Sequence, residues 1–157
     1  MRITLLSLLL TVLFVTTKAQ PPANYYSTAT GKIGAELKTA LYNIIKGHTD
    51  VKYDGLYNVY KTSDAKPDGS VWDMYSNCSF SYSVPSDKCG NYSKECDCFN
   101  REHSFPQSWF NKSSPMVSDA FHIYPTDGKV NGMRSNYPFG TVTNPTYISG
   151  NGSKLGP

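Results

Sequence analysis

Asn100-Arg101-Glu102-His103-Ser104-Phe105-Pro106 and, further on, Asp119-Ala120-Phe121-His122-Ile123-Tyr124-Pro125-Thr126-Asp127-Gly128-Lys129-Val130-Asn131-Gly132-Met133-Arg134-Ser135-Asn136-Tyr137-Pro138-Phe139-Gly140 decide how this chain reads. Phe99 to Phe105 has strand character. Ala120 to Tyr124 reads as a second strand that ends at Pro125. Thr126 and Asp127 are natural N-cap residues for a helix through about Asn136, stopped by Tyr137-Pro138 and Gly140. The two stretches also hold an adjacent carboxylate and imidazole, a second imidazole, three carboxamides and two arginines. Such a set supplies a base for water, oxygen donors for a hard cation and a positive charge for phosphate. Those are the parts of one-metal phosphodiester chemistry.

Upstream, Ile33, Leu37, Ala40, Leu41, Ile44 and Ile45 recur at helical spacing. With Thr30 as N-cap and Gly47 as stop, residues 31–46 are expected to form an amphipathic helix packed on the core. Asp54 is expected to cap a short second helix through Tyr60. A turn follows at Lys66-Pro67-Asp68-Gly69, then a strand from Val71 to Tyr75. From Ser149 to Pro157 the composition is that of a loop, without a closing helix or strand.

Cys78, Cys89, Cys96 and Cys98 fall in one window dense in Ser, Tyr, Asn and Gly. In an oxidising compartment this becomes a long stapled loop, with three pairings open to four cysteines. A Cys96–Cys98 ring would strain the backbone most. We favour Cys89–Cys98 with Cys78–Cys96, and the remaining arrangement stays open. A zinc site is the poorer reading, because Cys-x-Cys lacks properly spaced partners.

The first 19 residues read as a secretory signal peptide. Arg2 gives a positive start, Leu5 to Val15 an apolar run, and Thr17-Lys18-Ala19 small residues before a cut at Gln20. That run is too short to cross a bilayer comfortably, and no later segment could. The mature product is therefore expected to be a soluble, exported, monomeric protein with no membrane contact. Removing Arg2 and Lys18 from the 15 basic residues leaves 13 against 12 acidic ones. Bulk charge thus gives no pointer to nucleic acid, and any attraction for phosphate must be local.

His103 is the candidate general base, since an imidazole can take a proton from water near neutrality. Glu102 is the candidate metal ligand, because magnesium takes oxygen donors and needs only one or two from protein. A salt bridge from Glu102 to Arg101 or Arg134 is the plainer reading. Consecutive strand residues point to opposite faces, so Glu102 and His103 can share a site only if the strand ends or bulges there. Arg134 could bind phosphate through its guanidinium fork, or brace the helix against Asp119 or Asp127. His122 could orient substrate or water, although a hydrogen-bonded structural histidine is the plainer reading.

Arg101-Glu102-His103 at a strand end, then Phe121-His122-Ile123-Tyr124-Pro125, then Val130-Asn131-Gly132-Met133-Arg134-Ser135-Asn136-Tyr137 together resemble the endonuclease I family. The resemblance is densest from Tyr92 to Gly140. It implies an α+β fold with a ββα-metal (His-Me finger) core at about residues 99–137, an N-terminal helix and the stapled loop, within a domain over residues 20–157. It implies a secreted or periplasmic, metal-dependent endonuclease acting on DNA, RNA or both. Little sequence preference and products with a 5′ phosphate come with it. By family position Asn131 is the second ligand, and its rival Asn136 is read as capping the helix end. The ion would be Mg2+, with Mn2+ or Ca2+ as alternatives. Relatives of this kind continue into a helical segment, so the chain is expected to be C-terminally truncated. The competing function is a secreted binding module that kept the fold and lost catalysis. A metalloprotease is disfavoured, since no His-Glu-x-x-His occurs. Sequons at Asn77, Asn91, Asn111 and Asn151 are short enough to arise by chance.

Overall fold

A computed structural model describes residues 20–157, so the expected signal peptide lies outside the described residues. Helices and strands are mixed in an α+β arrangement, divided into two compact units that meet at His48 and Thr49. The first unit carries a short 3-10 turn, Ser27–Ala29, and helix α1, Gly34–Ile45. This helix starts three residues later than its apolar spacing suggests. Gly31 and Gly34 sit at φ +74° and +54°, a region that glycine enters without steric cost, and they keep the backbone out of helical geometry up to the first residue of α1. Thr30 closes the 3-10 turn and caps no helix, while Ile33 occupies the N-cap position in an extended conformation.

The second unit opens with α2, Lys52–Ser63, longer at both ends than the 54–60 expected. Asp50 is responsible at the start, its Oδ1 accepting from the Lys52 N–H at 2.8 Å. Asp54 therefore lies inside the first turn. Leu56 and Tyr60 of this helix are fully buried against Val71, Phe80, Phe99 and Ile123, which form the core with Cys78 and Tyr82. Phe99 is its centre, meeting Tyr57 and Tyr82 edge-on and Phe80 at a tilt.

Strand β1, Phe99–His103, pairs antiparallel with β2, Ile123–Asp127, from Phe99↔Asp127 to His103↔Ile123. The second strand lies three residues beyond its expected place. Asp119 folds the preceding residues into a turn, accepting the Phe121 N–H through Oδ1 and the His122 N–H through its carbonyl. Helix α3, Gly128–Arg134, follows directly. Asp127 caps it as expected, with Oδ1 accepting from the Val130 N–H at 2.9 Å. It ends at Arg134 rather than Asn136, because Ser135 turns to φ +51°.

The expected Val71–Tyr75 strand does not form. Val71 donates to the Phe80 carbonyl, but the Asp73 carboxylate then captures the N–H groups of Tyr75 and Ser76 and bends the chain. Met74 donates instead to the Pro125 carbonyl, which lashes this turn across β2. Asp73 also accepts from Thr126 Oγ1 and the Asp127 N–H, so one buried carboxylate ties the turn to the end of β2.

Both favoured disulfides are present, Cys78–Cys96 and Cys89–Cys98, each with Cα atoms 5.2 Å apart. They hold the loop against α3, where Gly128 lies close beneath Cys89 and Tyr92. A Cβ at Gly128 would stand 2.8 Å from Cys89 Sγ and 2.7 Å from Tyr92 Cδ1. Gly128→Ala should therefore cost ~1–3 kcal/mol, the usual range for overpacking. Chemical denaturation measures this, and an unchanged midpoint would mean that the cystine loop yields freely. The C-terminal stretch from Ser149 to Pro157, with loop composition, carries strand β4, Lys154–Leu155, which pairs with β3, Tyr147–Ile148, just before it in a small hairpin. Glu95 of the cystine loop anchors it, accepting from the Tyr147 hydroxyl and, at 2.9 Å, from the Gly150 N–H. Among the described residues no helix is long and apolar enough to cross a membrane.

Candidate active site

Side-chain alternation along β1 sorts the candidate residues. Phe99, Arg101 and His103 face α2, where Tyr53 lies 3.5 Å from the Arg101 guanidinium carbon and stacks on the His103 ring. Asn100 and Glu102 face α3. Pairing continues through His103 without a bulge, so Glu102 and His103 point to opposite sides of the strand. His103 is nonetheless the strand's last residue, and the chain leaves the hairpin directly after it.

Glu102 is 3% exposed. Its Oε1 accepts from the Tyr75 hydroxyl at 2.6 Å and pairs with Arg134 Nη1 at 3.1 Å. The salt bridge to Arg134 is thus realised, whereas Arg101 pairs with Asp54, whose side chain is 97% exposed. Burial raises the Glu102 pKa, and the Tyr75 hydroxyl and Arg134 oppose that rise. Both partners use Oε1, so Oε2 takes no hydrogen bond among the described residues.

Asn131 stands in the middle of α3, with Nδ2 donating to Asn100 Oδ1 at 2.6 Å and to the Arg101 carbonyl at 3.4 Å. A carbonyl can only accept, so the atom facing it is the nitrogen and Oδ1 remains a spare acceptor. Asn136 is exposed beyond the helix end. Arg134 reaches further than the braces to Asp119 or Asp127 considered for it. Beyond Glu102, its guanidinium donates to the carbonyls of His103 at 3.2 Å and Ser104 at 2.9 Å, which puts it at the end of β1.

His103 is 4% exposed, its ring bordered by Tyr53, Phe110 and His122 at centroid distances of 5.8, 6.1 and 5.7 Å. Its Nε2 lies 3.2 Å from the Val117 carbonyl. Since that oxygen cannot donate, Nε2 carries the hydrogen and Nδ1 keeps its lone pair. Burial pulls the His103 pKa down to about 4. The Val117 bond opposes this, while His122 and Arg101 add to it. The ring is therefore neutral at pH 7. His122 is half-buried, and neither ring nitrogen finds a hydrogen-bond partner among the described residues, in contrast to a hydrogen-bonded structural histidine.

Tyr75 and the Val117 carbonyl carry no signal in the sequence. One lies 27 residues before Glu102, and the other is a backbone atom 14 residues after His103. No group of three or more His, Cys, Asp or Glu residues could hold a metal among the described residues. The spare donors are an acid oxygen and an amide oxygen, Glu102 Oε2 and Asn131 Oδ1, on one face of β1. Two oxygens of this kind suit magnesium, which retains much of its own water.

A family model described as Endonuclease I matches residues 33–157. The chain is 34% identical over 119 residues to an extracellular ribonuclease of Bacillus subtilis, a match covering 73% of this chain and 39% of the relative. It is 33% identical over 129 residues to an extracellular ribonuclease of Bacillus amyloliquefaciens, covering 80% and 42%. It thus spans about two fifths of the length of the curated relatives it matches. No solved structure matches it.

Proposed function

The chain belongs to the endonuclease I family, and from that premise we propose that it is the catalytic part of an exported, metal-dependent nuclease hydrolysing phosphodiester bonds in RNA, DNA or both. The observation that carries the catalytic reading is the orientation of His103. With Nε2–H donated to the Val117 carbonyl, Nδ1 presents a lone pair to a water molecule and acts as the general base. Arg134 lies at the end of β1, where its guanidinium binds the scissile phosphate and shares its developing charge. Glu102 and Asn131 would hold the ion through the oxygens left spare, in a ββα-metal core made by β1, β2 and α3. A bound magnesium would supply electrostatic relief to the phosphate and to the leaving oxygen. A strand crossing the end of the hairpin reaches both faces of β1 there, which reconciles one phosphate with a base and a ligand on opposite sides. His122, with two unpartnered nitrogens beside His103, contacts substrate.

Names of the relatives support an extracellular location and RNA as one substrate. Purified protein should cut plasmid DNA or single-stranded RNA in Mg2+ and leave both intact in EDTA. Phosphatase-sensitive 5′ ends on the products would fit the mechanism. Cutting that persists in EDTA would remove the metal from it. The buried Glu102–Arg134 pair favours one second reading, a nucleic-acid-binding module without catalysis. Binding without cleavage in any divalent ion would select that reading.

A further inference from the structure

Tyr75 and Arg134, the two partners of Glu102, also line a cleft of about 810 Å³ between α3 and the β3–β4 hairpin. Ligand sites commonly run from ~300 to 1,000 Å³. Four aromatic rings border this one, those of Tyr75, Tyr137, Phe139 and Tyr147. Tyr137 and Phe139 are 59% and 60% exposed, although both are large and partly apolar. Phe139 is held in place from below, its ring 4.8 Å from the Arg134 guanidinium carbon and 6.2 Å from Tyr75. The charged residues lining the cleft are Arg134 and Lys154, both cations. Lys154 is exposed and forms no ion pair among the described residues.

Flat aromatic walls with positive charge at the rim call for a planar ring joined to a separate negatively charged group. An acyl chain or apolar peptide would use the walls and leave Lys154 unanswered, whereas Arg134 already pairs with Glu102. A simple anion would use the cations and leave the rings bare. A nucleotide uses both.

We infer that this cleft is a nucleobase subsite, receiving an unpaired base of the strand whose phosphate lies at Arg134 and Glu102. Phe139 is the stacking platform, and Lys154 meets the adjoining phosphate. The placement of that phosphate rests on the nuclease reading above; the affinity of the cleft for a base does not. A base inside a duplex must unpair before it can enter, so single strands bind better than double strands.

The test is binding in EDTA, where no strand is cut. Dye-labelled trinucleotides that differ only in a central 2-aminopurine or a central abasic sugar are titrated with the protein. The base-bearing strand should bind about tenfold more tightly, in the range typical of one aromatic stack. Phe139→Ala should abolish that preference without changing affinity for the abasic strand, and Phe139→Trp should restore it. Lys154→Glu should weaken both strands. Equal affinity of the unsubstituted protein for the two strands, or an equal loss on both in Phe139→Ala, overturns the subsite. A base preference in EDTA without cleavage in Mg2+ would leave the subsite standing and remove the nuclease reading. Normal cleavage with no base preference would do the reverse.

Discussion

His103→Ala should lower the cleavage rate by ~10²–10⁴-fold, the usual contribution of a general base, while divalent-ion binding keeps its strength. The ring lies across β1 from Glu102 and Asn131, so its removal takes away the proton acceptor and leaves both oxygen donors in place. Its burial among Tyr53, Phe110 and His122 means that alanine also opens a cavity. That cavity offers the control. Added imidazole can occupy it, and a base role predicts partial recovery of the rate as imidazole rises. Lost packing alone predicts none. Single-turnover cleavage beside calorimetric titration with Mn2+ measures both quantities, with circular dichroism to confirm folding at the assay temperature. Cleavage at the normal rate in His103→Ala would remove His103 from the mechanism.

The part of this architecture that the sequence could reveal is the part governed by neighbours in the chain. Asp127 before Gly128 is a cap whose donor lies three residues away, so local chemistry predicts it. Strand–loop–strand–helix order follows from the same short-range signals. The cystine pairing was one of three, and ring strain had removed one of the others. What stayed hidden depends on partners remote in sequence. Val71 to Tyr75 has strand-forming residues, yet the Asp73 carboxylate finds Thr126 and Asp127 and bends the segment away. The second strand slips by three residues because Asp119 closes a turn, although Pro125 looked like its end.

The site divides along the same line. That Glu102, His103, Asn131 and Arg134 gather at one hairpin and its helix was legible from motif order. Their relation within it was not, since continuous pairing through His103 decides which face each side chain takes. The Tyr75 hydroxyl on Glu102 and the Val117 carbonyl on His103 set the electrostatics of both residues, and neither has a sequence pattern. The loop composition of residues 149–157 hides β4 and its pairing with β3, because two-residue strands lie below any periodicity.

Asn131→Asp and Glu102→Gln should move ion affinity in opposite directions, and that contrast separates ligands from braces. In the metal-free protein, aspartate at 131 would face Asn100 Oδ1 and the Arg101 carbonyl, both of which now accept from Nδ2. Three acceptors without a donor should lower stability. If Oδ1 is a ligand, the added charge strengthens the ion site. Mn2+ should then restore the loss and raise the thermal midpoint further than it does in the unsubstituted protein. An ion at about a hundred times its Kd stabilises by ~2.7 kcal/mol, well within reach of a melting curve. Glu102→Gln keeps the shape of the side chain and an acceptor for the Tyr75 hydroxyl, but removes the charge opposite Arg134. Its affinity for Mn2+ should fall by at least the ~10–100-fold that follows loss of an outer-shell partner. Raising Mn2+ should recover part of its cleavage and none of the loss in His103→Ala. If Asn131 only braces β1 through Nδ2, Mn2+ will leave the Asn131→Asp midpoint where it lies. If Glu102 only pairs with Arg134, Glu102→Gln will lose stability and bind Mn2+ as before.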